Sequence, residues 1–502
     1  MELEKTTLRF ERLVTRGEEQ VTIEGEATLP GSMRDAVTVL SVQAQAHLEQ
    51  AQPGVGEAGV RGRVCFQVLY SQGDLTRVRA LETSCNFDHT LVLPEVTPSM
   101  RLCVTEAVQE TEGIPGSGRM TLRALLLLRA EAFETQEREL VSGVTGAEED
   151  GLTGDALQTR MQTVPFCVVQ TLGTGRTLAR EEFDLPSRLG VGDVLSATAT
   201  ATTGELSGGS GRVGVSGVIE VRVLHRPAEN GRSLVTTTHE LPFEVAIEAD
   251  LPENAQPQAT AEIVDVMADS VENDRSRTLR VEAEVQVTLR LCSQREQTLL
   301  ADLYSTRGAV LEPVTEELDI HAFEETAEAR ESVRIQVMLP KDAAPIDTVL
   351  HATALPTITA AAPNGRRLDA EGVMGITLVY LPVDSDIPCA VHTREPFAMT
   401  FPVEAAEGVT VHADVIEVSA GPTTSDRAEV RCVLGLRATQ HGVQHIRAVT
   451  DVTQRPQEKQ EQGFVLVWPA AGESRWDTAR RLRVAESSLR PAGKNALLAF
   501  RR

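Results

Sequence analysis

The sequence has 502 residues, which is more than one hydrophobic core usually organises, so three or four domains are expected. Apolar residues make up 41% of the chain and aromatic residues only 3%, which predicts cores built from Val, Leu, Ile and Ala. The formal net charge is −25, and so acidic a protein disfavours nucleic acid and anionic lipid as partners. The last forty residues differ, because eight Lys and Arg stand there against three acidic residues.

The amino-terminal segment has no apolar stretch of signal-peptide type, and no run approaches the roughly 18 apolar residues of a membrane span. These features predict a cytoplasmic protein without a membrane span. The seven cysteines form no CxxC pair and are odd in number. We expect free, buried structural thiols in a reducing compartment.

Landmarks along the chain recur at an interval of 155 residues, which indicates three copies of one unit. Two landmarks keep this interval throughout: Val39-Leu40, Val194-Leu195 and Val349-Leu350, and then Gly62, Gly217 and Gly372. Two more keep it within one residue: Leu29-Pro30, Leu185-Pro186 and Leu339-Pro340, and then Phe87, Phe243 and Phe397. Four landmarks in step three times over predict a tandem repeat.

Within each copy, apolar and polar residues alternate as they do in half-buried strands. The clearest stretches are 213–223, 279–291 and 430–438. In the first copy the run Leu125–Leu128 replaces the alternation, which predicts a strand covered on both faces. Short Gly- and Pro-containing segments separate the strands and read as hairpin turns.

Strands joined by short turns, with no helical stretch between them, predict antiparallel sheets packed as a sandwich or an open barrel. We therefore predict a mainly β chain of three tandem antiparallel repeats, followed by a small α+β tail. The predicted domains are residues 8–154, 163–317, 319–455 and 463–502, and a hydrophilic stretch at 453–463 links the last two.

Motifs that could carry chemistry are few. The two GxGxxG matches, at Gly54–Gly59 and Gly209–Gly214, are one turn in successive copies and precede strands, so hairpins are favoured over a phosphate site. His441 and His445 lie four residues apart and are expected at the surface. The acidic clusters Glu148–Asp150 and Asp384–Asp386 read as solvated loops. The sequence predicts no catalytic residue, no metal site and no cofactor.

The tail combines the positive charge with both tryptophans of the chain. An apolar strand is predicted at Phe464–Trp468, and a helix follows with Ser474 as its N-cap and Trp476, Ala479 and Leu482 on its buried side. A closing segment at 496–500 can pair with the first strand. Trp and Arg are typical of interface anchors. The residues predicted to bind a partner are Arg475, Trp476, Arg480, Arg481 and Arg483, with Arg480, Arg481 and Arg483 on the outer surface.

Two resemblances attach to these patterns. The segment Gly472–Arg481 resembles the start of a LysM module, and 493–498 resembles its closing strand. The recurring landmarks, together with Asp302-Leu303-Tyr304-Ser305, resemble the SPOCS-domain family, whose SipL-like members are spore-coat morphogenesis proteins. The resemblance implies a structural, non-enzymatic protein of the mother-cell cytoplasm at the forespore surface. It further implies that the tail contacts a protein of the coat basement layer.

A second hypothesis stays open from the residues alone. A LysM-like tail could hold peptidoglycan while the β domains act as a stalk in the cell envelope. The missing signal peptide and the short stretch between the two LysM-like segments count against it. An unrecognised hydrolase remains a third hypothesis, because carboxylates from distant positions can meet in a fold.

Overall fold

The computed structural model describes residues 1–29, 37–72, 77–145, 156–185, 190–209, 211–228, 233–251, 257–272, 277–404, 408–456, 463–493 and 496–501. Nearly all of these residues lie in strands. The predicted landmarks Pro30 and Pro186 and the acidic cluster Glu148–Asp150 fall outside this part of the chain. Within it, no helix is both long and apolar enough to cross a lipid bilayer.

The same six-strand pattern occurs three times. The first copy contains β1 (Glu2–Thr28), β2 (Val37–Pro53), β3 (Glu57–Gln72), β4 (Arg79–Val92), β5 (Arg101–Pro115) and β6 (Arg119–Thr145). The second contains β7 (Leu157–Phe183), β8 (Val191–Gly209), β9 (Arg212–Pro227), β10 (Val235–Glu248), β11 (Pro257–Glu272) and β12 (Arg277–Ser305). The third contains β13 (Val310–Met338), β14 (Ile346–Asn364), β15 (Arg367–Pro382), β16 (Cys389–Phe401), β17 (Thr410–Thr424) and β18 (Arg427–Arg455).

Each copy folds its six strands into two antiparallel sheets of three. In the first copy the orders are β1-β6-β5 and β2-β3-β4, and the other copies repeat them as β7-β12-β11 with β8-β9-β10, and β13-β18-β17 with β14-β15-β16. Apolar side chains from both sheets of a copy share one core. The predicted fold class, a mainly β chain of tandem antiparallel repeats, is confirmed. The four predicted domain ranges stay a prediction.

In each copy the sheet that contains the first and the last strand has the longer strands, and we call it the larger sheet. Its centre strand shows how the sequence selects this fold. Along β12 every second residue from Leu279 to Leu291 is buried, while the residues between are only partly buried or exposed. In β6, Leu126 and Leu128 are fully buried, and Leu125 and Leu127 on the opposite face are partly buried. The run of four leucines is therefore covered on both faces, but unequally.

The recurring glycine and phenylalanine are explained by one contact. Gly217 in β9 pairs directly with Phe243 in β10, and a Cβ on Gly217 would lie 2.4 Å from the phenyl ring and 2.4 Å from the Thr202 carbonyl oxygen. Gly62 pairs with Phe87 and Gly372 with Phe397 in the same way. Each ring covers the glycine of the neighbouring strand, so both residues are needed in every copy.

The glycine-rich turns are hairpins, as predicted. One of them separates β2 from β3, with Gly56 at φ 73°, and another separates β8 from β9, with Gly211 at φ 73°. A positive φ at this point is the conformation that tight hairpins require and that glycine adopts without strain. The acidic cluster Asp384–Asp386 also lies in an exposed turn.

The three copies meet around an approximate threefold axis. Equivalent residues can be matched because the centre strand of each larger sheet skips one residue in its pairing with the first strand, at Ser142, Ala301 and Thr450. Counting from there, three sets of equivalent side chains form a shared apolar core: Leu8, Val164 and Leu318; Phe10, Phe166 and Ile320; Leu140, Leu299 and Ala448. A second shared core joins the smaller sheets through Leu40, Leu195 and Leu350. The copies thus bury apolar surface against one another.

Two expectations are wrong in this region. Cys167 in β7 and Cys292 in β12 are joined by a disulfide, whereas all seven thiols were expected to be free. The pattern could not reveal the pair, because its members lie 125 residues apart and meet only through strand pairing. His441 was expected at the surface, but its side chain is only 5% exposed. His445 is exposed as predicted, because the two histidines do not share an environment.

Candidate partner-binding site

The tail forms a small module of its own. Strands β19 (Gly463–Val467), β20 (Arg490–Gly493) and β21 (Ala496–Arg501) make a sheet in the order β19-β21-β20. Helix α1 (Arg475–Leu482) packs on one face, and a short 3-10 helix (Glu486–Ser488) follows it. The predicted helix and the pairing of the first and last strands are confirmed.

Local sequence explains where α1 begins and ends. The Ser474 side chain accepts a hydrogen bond from the backbone N–H of Asp477, and the Asp477 carboxylate accepts one from the backbone N–H of Ser474, which completes a capping box. At the other end Arg483 has φ 52°, a left-handed residue that ends the helix. Asp477 in the first turn and the arginines in the last turn both suit the helix dipole.

The buried side of α1 includes Trp476, Ala479 and Leu482, as predicted, and Thr478 is buried as well. These side chains pack against Val465, Val467 and Leu497 on the inner face of the sheet. One residue from outside the tail belongs to the same core, because Tyr304 at the end of β12 is also buried there. The module is therefore packed on the second copy.

One carboxylate holds the tail on the second copy. Oδ2 of Asp302 accepts hydrogen bonds from Nε1 of Trp476 at 2.7 Å and from Nη1 of Arg480 at 2.9 Å. The rings of Tyr304 and Trp476 meet edge to face with centroids 5.0 Å apart, and the Tyr304 hydroxyl donates to the Val484 carbonyl at 2.9 Å. Burial raises the pKa of Tyr304, and the nearby Glu486 and Asp302 raise it further, so the hydroxyl stays a donor.

The remaining arginines differ in what they contact. Arg483 donates to the carbonyl oxygen of Ser305 at 3.0 Å and to its hydroxyl at 2.9 Å. Arg475 donates to the Leu489 carbonyl at 2.6 Å, within the tail. Arg481 is exposed and forms an ion pair of 2.8 Å with Glu473. Arg481 lies on the outer surface as predicted, but that expectation is wrong for Arg480 and Arg483, which turn toward the second copy.

A cavity of about 530 Å³ opens beside this interface. Its wall has both polar and apolar parts and comes from the second copy, the third copy and the tail, including Ser305, Leu311, Glu312, Arg480 and Arg481. Both charge signs line it, and the arginines already pair with carboxylates of the chain. The cavity follows from the docking of the tail on the end of β12.

Sequence reasoning missed the opposite face of the tail sheet. Phe464, Leu466 and Trp468 alternate along and just beyond the edge strand β19, and their exposed fractions are 76%, 48% and 62%. The signal was present, because the intervening Val465 and Val467 are the residues that pack inward. A row of large apolar side chains beside an open strand edge is typical of a surface that binds another protein.

The architecture defines the class of protein as a mainly β chain of tandem two-sheet repeats with a small packed tail. Comparison with known families adds one match: the family model described as SipL, SPOCS domain, matches residues 35–112, which span β2 to β5 of the first copy. In this region the chain is similar to SipL-like, sporulation-related proteins. The match does not reach the tail, so the LysM resemblance receives no support from it. No curated protein and no solved structure matches the chain.

Proposed function

We propose that this chain is a non-enzymatic assembly factor of the spore coat or spore envelope. Its three β copies act as a rigid scaffold, and its tail docks on a protein partner, by resemblance a protein of the coat basement layer. The match to the SPOCS family model supports the sporulation role, and that family is not a known family of enzymes. We place the protein in the mother-cell cytoplasm, at the forespore surface.

The exposed row Phe464, Leu466 and Trp468 carries the docking part of this proposal. Large apolar side chains at the edge of a sheet can add a partner strand and bury the row at the same time. The tail is basic and the rest of the chain is acidic, so a partner with an acidic rim around an apolar centre fits this face. Of the five residues that the sequence nominated, Arg475 and Arg481 lie exposed on α1, on the other side of the sheet from this row, and their part in partner binding stays a prediction.

The other three nominated residues have a supporting part in the proposal. Trp476, Arg480 and Arg483 hold the module on Asp302 and Ser305, so they fix the direction in which the docking face points. A module held by several hydrogen bonds loses less conformational entropy on binding than one on a free linker.

The direct test is recruitment to the forespore in sporulating cells. Deletion of residues 463–502 is expected to abolish recruitment, and replacement of Phe464, Leu466 and Trp468 by Ser is expected to reduce it at least tenfold. Val55 is 82% exposed in a turn of the first copy, so Val55→Ser is the matched control and should leave recruitment unchanged. Normal recruitment of the truncated protein would disprove the docking part.

Sedimentation of the full chain with purified peptidoglycan separates the second hypothesis. The proposal expects no binding above that of the truncated chain. Clear binding that requires residues 463–502 would replace the protein partner with a glycan.

A further inference from the structure

A buried polar cluster lies where the three copies meet. We call it the central cluster and define it as Glu11, Arg101, Glu131, Phe133, His321, Glu324 and His441. In the first strand of each copy, one equivalent residue lies six positions after the residue at which the pairing resumes beyond the register shift. These residues are Glu11, Cys167 and His321. Three of the centre strand are equivalent, nine residues before the skipped residue: Phe133, Cys292 and His441. Each copy therefore sends a different pair of side chains to the axis.

Three members of the central cluster bring ligand atoms together. One atom each from His321, Glu324 and His441 lies within 4.8 Å of the others. Their side chains are 0%, 13% and 5% exposed, so the space between them is closed to bulk water. Two imidazoles and one carboxylate are a common ligand set for Zn²⁺ in proteins.

Several of these atoms have no hydrogen-bond partner. Both ring nitrogens of His321, Nδ1 of His441 and Oε2 of Glu324 are buried and make no hydrogen bond to any described residue of the chain. A buried polar atom left unpaired costs about 1–3 kcal/mol, so this many in one place calls for a ligand. A cation that accepts one lone pair from each ring and one from Oε2 of Glu324 would satisfy three of these four atoms together, and Nδ1 of His321 faces Glu11.

The surroundings orient His441 as a ligand. Its Nε2 lies 2.9 Å from Oε2 of Glu131, while its Nδ1 faces Oε2 of Glu324 at 3.7 Å. A neutral imidazole that donates from Nε2 to Glu131 keeps the lone pair of Nδ1 free. A carboxylate behind a ligating histidine is the usual arrangement at metal sites. On the other ring, Nδ1 of His321 lies 3.7 Å from Oε2 of Glu11, which leaves Nε2 for a ligand.

The charges of the cluster accommodate a cation. Glu11, Glu131 and Glu324 outnumber the two guanidinium groups that form ion pairs with them among the described residues, those of Arg101 and Arg16. Arg101 is engaged by both oxygens of Glu11, at 3.0 and 2.7 Å, and by the face of the Phe133 ring. Two protonated histidines would need four acceptors, and within the described ranges only Nε2 of His441 has one within hydrogen-bond distance. Metal binding explains the geometry better than protonation.

We propose that His321, Glu324 and His441 bind one divalent transition-metal ion of the Zn²⁺ type at the junction of the three copies. The ligands come from β13 and β18 of the third copy, and Glu131 of the first copy supports His441. Sγ of Cys292 in the second copy lies 3.9 Å from the Glu324 carbonyl oxygen, so all three copies adjoin the site. The ion would stabilise the assembled body and has no part in the docking of the tail.

The test uses the purified full chain after chelation, titrated with Co²⁺ and then with Zn²⁺. We expect one Co²⁺ per chain, a visible absorption band of bound Co²⁺, its displacement by Zn²⁺, and a rise in melting temperature with Zn²⁺. His321→Gln and His441→Gln should weaken binding at least 100-fold, and Glu131→Gln about 10- to 100-fold because it supports a ligand. His445→Gln is the matched control, since that side chain is 80% exposed.

Two results would overturn the proposal. One is the absence of stoichiometric Co²⁺ or Zn²⁺ binding by the folded wild-type chain, which needs no variant. The other is binding that persists unchanged in folded Glu131→Gln and His441→Gln proteins.

Discussion

The glycine–phenylalanine pairs inside each copy and the pairs of residues at the threefold axis differ in how far the copies have diverged. Inside the copies, Gly62, Gly217 and Gly372 each face a phenylalanine in the same register. At the axis, the equivalent pairs are Glu11 with Phe133, Cys167 with Cys292, and His321 with His441. A contact that every copy needs for its own folding recurs three times. The central cluster is one shared space, so three identical polar or charged pairs would crowd or repel one another there, whereas the shared core of the smaller sheets keeps three identical leucines.

The largest effect is expected inside a copy. Gly217→Val places a branched side chain where even a Cβ would lie 2.4 Å from both Phe243 and the Thr202 carbonyl oxygen, so the strands must separate. We expect a loss of more than about 4 kcal/mol in the free energy of unfolding, measured by denaturant titration. Gly421→Val is the control, because a Cβ on Gly421 would lie within 4 Å of no atom in the described part of the chain. Equal losses in both variants would contradict the role of the ring contact.

The next effect concerns the axis. Burial alone would raise the pKa of Glu11, but His321 and the Arg101 guanidinium outweigh it and hold that pKa below its ordinary value. Arg101→Met leaves this carboxylate buried without its main partner, which is expected to cost about 3 kcal/mol near neutral pH. Denaturant titration at several pH values measures the loss.

The loss of stability in Arg101→Met is expected to depend on pH, in a direction that follows from the pKa of Glu11. In the wild type, the lowered pKa of Glu11 stabilises the fold above the unfolded pKa, and this contribution is lost as pH falls through the folded pKa. In Arg101→Met burial dominates and the pKa rises, so part of the loss should return as the pH is lowered toward 5. Arg61→Met, which breaks an exposed ion pair with Asp88, is the control and should change little at any pH. A deficit in Arg101→Met that does not depend on pH would contradict this account.

A smaller effect is expected at the tail. Asp302→Ala removes the acceptor shared by Trp476 and Arg480, which is expected to weaken docking by about 2 kcal/mol. With Trp468→Phe as background, Trp476 is the only tryptophan, and its fluorescence should shift to the red at lower denaturant concentrations. Asp451→Ala is the control, because Asp451 is the equivalent residue of the third copy and is exposed. An unchanged fluorescence transition would argue against the shared acceptor.

The smallest effect is expected at a second group of polar residues where the three copies meet, around Glu106. Burial, aided by Glu262 of the second copy, raises the pKa of Glu106 to about 8, although His412 of the third copy opposes this. A raised folded pKa means that the native state loses stability as pH climbs from the unfolded value of 4.5 toward 8. Glu106→Gln should remove on the order of 1 kcal/mol of this decline, since the side chain keeps some contact with water. A pH profile identical to that of the wild type would contradict the raised pKa.

These regions also show what the sequence could and could not predict. The period of 155 residues and the strand alternation predicted the repeats, because a strand that is buried on one face has an apolar residue at every second position. Ser474, Trp476, Ala479 and Leu482 likewise predicted the tail helix from local spacing. The axis was out of reach, because His321, His441 and the disulfide cysteines lie far apart in the chain and come together only when three copies close on one another. Phe464 and Trp468 were read as part of a strand, since one row of apolar residues does not tell which face is covered.

The docking of the tail on β12 has a consequence for valency. The residues equivalent to Asp302 and Tyr304 are Gly143 and Thr145 in the first copy, and Asp451 and Thr453 in the third. Neither of those copies offers both the carboxylate and the ring, so a body of nearly threefold symmetry carries its module on one side. Each chain then has a single attachment point with a fixed orientation. A layer built from such chains would have two different faces, because every tail lies on the same side of its own scaffold.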